Sequence, residues 1–296
     1  MTPGSLPPSS GIGRVALSVG DLDETVAFYR DVVGLQVRSR DEDRDEGAGG
    51  AGSASTATLG TADRALLELR ADSDAAERPE SAAGLFHAAF RVPSRAALGD
   101  VLERVRERWR LTGASDHLVS EALYLRDPDG NGIEIYCDRP RAEWPTTDDG
   151  RVAMTTDPLD LDALAGESTG AESLPTGSDV GHVHLEVTSL DSARSFYADA
   201  LGMNVRQAMS GALFLAAGEY HHHVGCNVWN GRTEPARGRG LAWFEVVVPA
   251  DALATVRERF EARAVAVDAL PGVPGADGFA VTDPDGVELR VRPARE

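Results

Sequence analysis

The chain repeats itself, and the repeat leaves few folds open. Gly13-Arg-Val-Ala-Leu-Ser-Val matches Gly181-His-Val-His-Leu-Glu-Val, and the match continues through Phe28-Tyr and Phe196-Tyr to Gly34 and Gly202. Each copy is an alternating apolar strand followed by a helix that opens at Asp21-Leu-Asp or Ser189-Leu-Asp and ends at the glycine. Two further copies begin at Gly84-Leu-Phe-His and Gly240-Leu-Ala-Trp, with helices expected near 95–108 and 250–262. Both close on an Asp-Pro-Asp-Gly turn, so that Asp127–Glu134 is set against Asp283–Glu288 with a shorter turn in the second. A unit with one apolar sheet face is best buried against another copy. The expected fold is therefore α+β, with four βαβββ modules paired into two half-barrel domains. The chain divides into an N-terminal domain, residues 11–138, a linker, 139–178, and a C-terminal domain, 179–293. Acidic residues followed by Gly and Ala from Ser39 to about Ser55 predict a mobile loop. Leu159, Leu161 and Leu164 predict one docked helical turn in the linker.

The turn at Asp127-Pro-Asp-Gly organises the densest chemistry. Pro128 presets φ and Gly130 tolerates positive φ, so the strand ending at Tyr124-Leu125 folds back onto Ile133–Tyr136. Alternation sends Ile133 and Ile135 to one face and Glu134 to the other, with His117 and Tyr124 ahead of it on the same hairpin. A second concentration is His221-His222-His223, in a stretch that reads as an alternating strand, where either His222 or the pair His221 and His223 must face inward.

Charge narrows the partners. The formal net charge is −19 and there is no lysine, so all 29 cationic side chains are arginine. Such a surface repels polyanions, which excludes nucleic acid, and no apolar run approaches the length of a membrane span. Met1-Thr-Pro-Gly-Ser has neither the basic nor the apolar region of a signal peptide, and Cys137 and Cys226 are too few for a disulfide framework; a cytoplasmic protein is expected. An acidic, lysine-free composition is that of proteins adapted to a salt-rich cytoplasm. Assembly is left open, and a homo-oligomer is compatible with everything above.

The tandem βαβββ array resembles the vicinal oxygen chelate superfamily, which includes glyoxalase I, the bleomycin-resistance proteins and the extradiol dioxygenases. The hairpin from His117 to Glu134 resembles the signature of the catechol 2,3-dioxygenase class, with Ser115 a minor departure. The resemblance implies metal ligands on the first and last strands of each module. The first-strand positions carry Arg14, His87, His182 and Trp243; the last-strand positions carry Glu134 and Glu288 in the second and fourth modules and the run His221-His222-His223 in the third, with Glu68 loosely aligned in the first. Only modules 2 and 3 together supply a competent set, His87, His182 and Glu134, so modules 2 and 3 are expected to pair around the metal and 1 with 4. Glu288 is expected to be a structural acid paired with Arg290 or Arg14. The resemblance further implies Fe(II), with Mn(II) as substitute, and extradiol cleavage of a small aromatic diol by O2. In that scheme His222 is the acid/base, and Tyr124 and His117 bond the substrate oxygens. Trp229, Phe214 and Phe86 would wall the pocket. The alternatives are a glyoxalase-like isomerase or lyase, in which His221 or His223 adds a fourth ligand, and a metal-free bleomycin-resistance-type binding protein.

The charge balance carries a first prediction. Self-repulsion among unscreened carboxylates should destabilise the fold at low ionic strength, so the thermal midpoint should rise as KCl is raised from millimolar to molar. A midpoint that stays flat in calorimetry would remove the link between acidity and salt.

Overall fold

A computed structural model describes residues 5–41, 55–148, 152–270 and 277–294. The first module contains β1 (Gly11–Val19), α1 (Leu22–Phe28), β2 (Gln36–Asp41), β3 (Thr56–Gly60) and β4 (Ala65–Ala71). The second contains β5 (Gly84–Arg91), α2 (Arg95–Arg108), β6 (Gly113–Asp116), β7 (Ser120–Arg126) and β8 (Gly132–Asp138). The connection carries a two-residue strand, β9 (Asp157–Pro158), and a short helix, α3 (Leu161–Ala165), whose Leu164 is fully buried. The third module follows with β10 (Asp179–Glu186), α4 (Leu190–Arg194), β11 (Asn204–Met209), β12 (Ala212–Ala216) and β13 (Val224–Asn227). The fourth has β14 (Gly240–Val248), α5 (Leu253–Glu261), β15 (Phe279–Thr282) and β16 (Glu288–Pro293). Of the predicted acidic loop, residues 42–54 lie outside the described residues, and Ser39–Asp41 belong to β2 rather than to a loop.

Local chemistry accounts for these boundaries. Side chains of Asp21, Ser94, Asp160 and Ser189 each accept from the backbone N–H three residues on, capping α1 to α4. Gly34 and Gly202 take φ of +92° and +95° where the helical segments of modules 1 and 3 end, a conformation costly for other residues. Both Asp-Pro-Asp-Gly turns are tied in the same way. Asp127 and Asp283 accept from the N–H of Asn131 and Val287, and the hydroxyls of Tyr29 and Tyr197 donate to their other oxygens. A tyrosine of one module thus secures the turn of the next. Burial pushes both of these carboxyls up to about 6.

Two sheets result. One has the order β15-β16-β14-β1-β4-β3-β2 and the other β11-β12-β13-β10-β5-β8-β7-β6-β9. Modules 1 and 4 share the first through the antiparallel pair β1 and β14, and modules 3 and 2 share the second through β10 and β5. Each sheet therefore draws strands from both sides of residues 139–178. The helices and the intervening apolar residues form one continuous core on the helix side of the sheets, including Val183, Leu185, Ala88, Phe90, Ile133 and Ile135. The opposite face of each sheet curves into a cup.

Two bulges decide which side chains enter the cup of the larger sheet. Val180 pairs with Phe90 and His182 with Ala89, leaving Gly181 as an extra residue. Val180 belongs to the core, so strict alternation would send His182 to the core as well; the inserted residue turns it into the cup. On β5 the same happens at Phe86, between Leu85 in the core and His87 in the cup. Gly181 has no substitute, because a Cβ there would lie 1.7 Å from the hydroxyl of Tyr136.

Gly181→Ala should consequently lower unfolding free energy by about 1–3 kcal/mol through overpacking against Tyr136. Urea denaturation measures it, and an unchanged midpoint with unchanged slope would show that Tyr136 yields without cost.

Candidate metal centre

Ala89 is the geometric centre of the cup. In register it faces His182 on β10 to one side and Glu134 on β8 to the other, and His87 precedes it by two residues on the same face. With only a methyl group at Ala89, which is fully buried, the three larger side chains close over it. Nε2 of His87 lies 3.2 Å from Nε2 of His182, and Oε2 of Glu134 lies 3.0 and 3.2 Å from those nitrogens. Three donors each about 2.1 Å from one cation and at right angles stand about 3.0 Å apart, so the triangle fits one face of an octahedral metal. The donor set, two imidazoles and a carboxylate, is the one that leaves coordination positions open in non-haem Fe(II) sites. Among the described residues this group contains three donors.

Electrostatics favour the same use. Burial lowers the His182 imidazole to about 4, despite the opposing pull of Glu134, so it is neutral near pH 7 and has a lone pair to give. Burial alone would raise the Glu134 carboxyl, but its contacts with His182 and His87 more than reverse that and hold it well below its usual range. His182 Nδ1 has no hydrogen-bond partner among the described residues, so the proton position on this ring is set from the donor side.

A cavity of about 390 Å3 opens above the donors. His87 and Glu134 reach its floor, while His182 lies just beneath. Phe86, Phe214 and Trp229 wall it, with Val119, Met154 and Met209. His117 and Tyr124 stand on one wall; Tyr124 is directly across from Glu134 on the hairpin, and its oxygen lies 2.7 Å from His117 Nε2. The carbonyl of Thr155 accepts from His117 Nδ1 at 2.6 Å, so a neutral His117 presents a bare Nε2 to the Tyr124 hydroxyl. Burial, with Glu134 nearby, raises the Tyr124 phenol well above its ordinary value and keeps it protonated.

The histidine run departs from expectation. Residues 221–223 are not strand but irregular chain ahead of β13, so alternation does not apply to them. His221 and His222 both turn toward the cavity, and the His222 ring packs 4.1 Å from that of His182. His223 points away, stacking on Tyr220 and accepting the Ala217 N–H, in a separate polar cavity. His184 was missed from sequence: it shares the face of His182, lies buried opposite His87, and accepts from Asn227 through Nε2. The signal was present in the spacing His-x-His on one strand.

Comparisons with known proteins follow this geometry. The sequence model of the Glyoxalase/Bleomycin resistance protein/Dioxygenase superfamily matches residues 11–135 and 179–291. The chain belongs to that superfamily. It is 40% identical over 256 residues, 83% of this chain and 85% of the relative, to a protein of Bacillus subtilis (strain 168) named catechol-2,3-dioxygenase. Glyoxalase I from Zea mays shares the fold with TM-score 0.59 at 18% identity, covering 96% of this chain and 92% of that one. A protein of Bacillus subtilis subsp. subtilis str. 168 does so with TM-score 0.65 at 13% identity, covering 97% and 86%.

The other cup of this superfamily member shows what the same framework becomes without donors. By register, Arg14 stands where His182 stands, Trp243 where His87 stands, and Glu245 where Ala89 stands. The counterpart of Glu134 is Arg290, opposite Glu245, and not Glu288, which pairs one step earlier with Trp243. The two turns are therefore of equal length, correcting the expected alignment. Glu245 receives Arg14 at 2.8 Å and Arg292 at 3.2 Å, Glu288 pairs with Arg290 at 2.6 Å, and the Arg14 and Arg290 guanidiniums lie 5.3 and 4.0 Å from the Trp243 ring. Glu68 is 3.9 Å from Arg14. Guanidiniums occupy two of the three donor positions and an indole the third, and an ion-pair cluster fills the cup.

Ala89→Leu should place a branched side chain among the three donors. Metal content by plasma mass spectrometry should fall close to zero while circular dichroism stays that of a folded chain; a fully loaded variant would show that the donors do not depend on the space above Ala89.

Proposed function

We propose that the protein is an extradiol ring-cleaving dioxygenase acting on a catechol-type aromatic diol with Fe(II) and O2, Mn(II) being able to replace Fe(II). The observation that carries the reading is the open three-donor face of His87, His182 and Glu134 beneath an apolar cavity. The 40% identical relative named catechol-2,3-dioxygenase supports it. A donor group of three among the described residues, with His221 engaged elsewhere and His223 turned away, favours this reading over a four-ligand isomerase site.

His87, His182 and Glu134 would hold the metal. Bound there, Fe(II) supplies a centre at which diol and O2 meet and through which electrons pass between them. The chain's own groups do the rest. Phe86, Phe214 and Val119 exclude water and flank an aromatic ring. Trp229 and Met209, half exposed at the rim, offer apolar surface to a ring substituent. His222 takes the proton of a diol hydroxyl and later returns one, a task for an imidazole that is neutral at rest, as burial makes it. Tyr124, steadied by His117, orients the substrate oxygens beside Glu134.

Two variants test the scheme. Glu134→Ala should lose tight iron binding and activity together. His222→Phe should keep iron and still bind catechol, yet lose turnover by roughly 10²–10⁴-fold, as for a missing general acid or base. Ring-fission products absorb in the visible, so a catechol screen on anaerobically purified protein reads the activity directly. Loss of iron in His222→Phe would make His222 a ligand and move the site toward the isomerase pattern.

A further inference from the structure

Behind His222 runs a chain of hydrogen bonds that the proposed reaction does not itself require. His222 Nδ1 lies 2.8 Å from His221 Nδ1, and His221 Nε2 lies 3.1 Å from Asp138 Oδ1. Asp138 is the last residue of β8, on the same strand face as Glu134 and Tyr136. Its other oxygen accepts from Arg91 Nη1 at 3.1 Å, and the Tyr220 hydroxyl donates to both oxygens at 3.2 and 3.0 Å. Tyr136 in turn lies 2.8 Å from Tyr220, oxygen to oxygen.

These partners dictate where protons sit. A carboxylate only accepts, so Asp138 takes a proton from His221 Nε2. A neutral His221 then has only a lone pair at Nδ1, and the short contact between the two Nδ1 atoms is a hydrogen bond only if His222 donates. The proton of His222 is thus at Nδ1, and its Nε2 is bare. Arg91 is shared between Asp138, at 3.1 Å, and Asp179, at 2.6 Å, and a His221 carrying a single proton is the form the relay requires.

We propose that Asp138 and His221 are positioning residues that fix His222 in the tautomer with a bare Nε2, so that His222 meets substrate as a base. The inference deepens the proposed dioxygenase function and rests on that reading for the role of His222, but the tautomer itself does not.

Asp138→Asn makes the sharpest test, because Arg91 can only donate. The amide oxygen must turn to Arg91 and the amide NH2 to His221 Nε2. His221 then carries its proton at Nδ1, and His222 is forced to carry its own at Nε2. Full-length protein labelled with 15N-histidine, with His222→Gln to assign the resonance, reports the tautomers without metal or substrate. The expected result is a protonated Nδ1 on His222 in the wild type and a protonated Nε2 in Asp138→Asn. With iron loaded, Asp138→Asn should keep its metal content and KM for catechol but lose kcat roughly 10²-fold or more, and Asp138→Glu should recover part of the loss. A wild-type His222 protonated at Nε2, or a His221 protonated at both nitrogens, overturns the proposal, and this measurement holds even if Asp138→Asn fails to fold. An equal fall in Asp138→Asn and Asp138→Glu, with no tautomer change, also overturns it. Tautomers as expected in a protein that cleaves no catechol would sustain the relay and sink the dioxygenase reading instead.

Discussion

The convergence of the three candidate donors depends on a parity break built into two strands. On an unbroken β-strand, residues two apart share a face, and Leu85 and Val180 are core residues. Were β5 and β10 regular, His87 and His182 would be buried among aliphatic side chains, where an imidazole costs free energy and has no metal to offset it. One extra residue in each strand, Phe86 and Gly181, moves both histidines to the cup. Everything downstream follows: Ala89 falls between the donors, Glu134 lies in register beyond it, and the hairpin brings Tyr124 alongside.

The two cups show that the framework is indifferent to its contents. The same bulges, the same turns and the same tyrosine-to-aspartate ties occur in both sheets. What differs is the charge of a few side chains. One cup places imidazoles and a carboxylate around a methyl group. The other places guanidiniums around Glu245, which satisfies its own charge and needs no ion. A cation introduced there would meet Arg14 and Arg290 at the places where donors should be, and like charges at such distances repel strongly in a partly buried setting.

Much of this was legible in the sequence because it is local or repeated. The repeats gave four modules, the Asp-Pro-Asp-Gly turns gave hairpins, and the helices of modules 1 and 3 announced themselves through their capping residues and terminal glycines. His87, His182 and Glu134 stood out at matched positions of the repeat once the superfamily resemblance was in hand, His117, Tyr124 and His222 by that resemblance, and the structure gathers them around one cavity. What escaped is what depends on register. Glu288 looked like the partner of Glu134 because both follow an Asp-Pro-Asp-Gly turn, yet hydrogen bonding from Asp283 to Val287 makes Arg290 the match. The histidine run looked like strand by composition, but Tyr220 and His221 are held by Asp138 from another module and His222 by His221, contacts that no local pattern encodes. His184 was passed over since a lone histidine beside a stronger candidate carries little signal until its neighbours in space are known.

The way the sheets share modules also sets an order of assembly. Every strand that surrounds the three donors lies between residues 84 and 227, so that sheet is topologically complete before the last module has left the ribosome. Strand β1, by contrast, emerges first and acquires its antiparallel neighbour only when Gly240–Val248 is made. In the interval the opening module presents an unpaired apolar edge, the kind of surface that seeks another chain. Nascent chains of this topology are exposed to mispairing along β1 while two further modules are made, whereas the part that would hold the metal is closed before β14 appears.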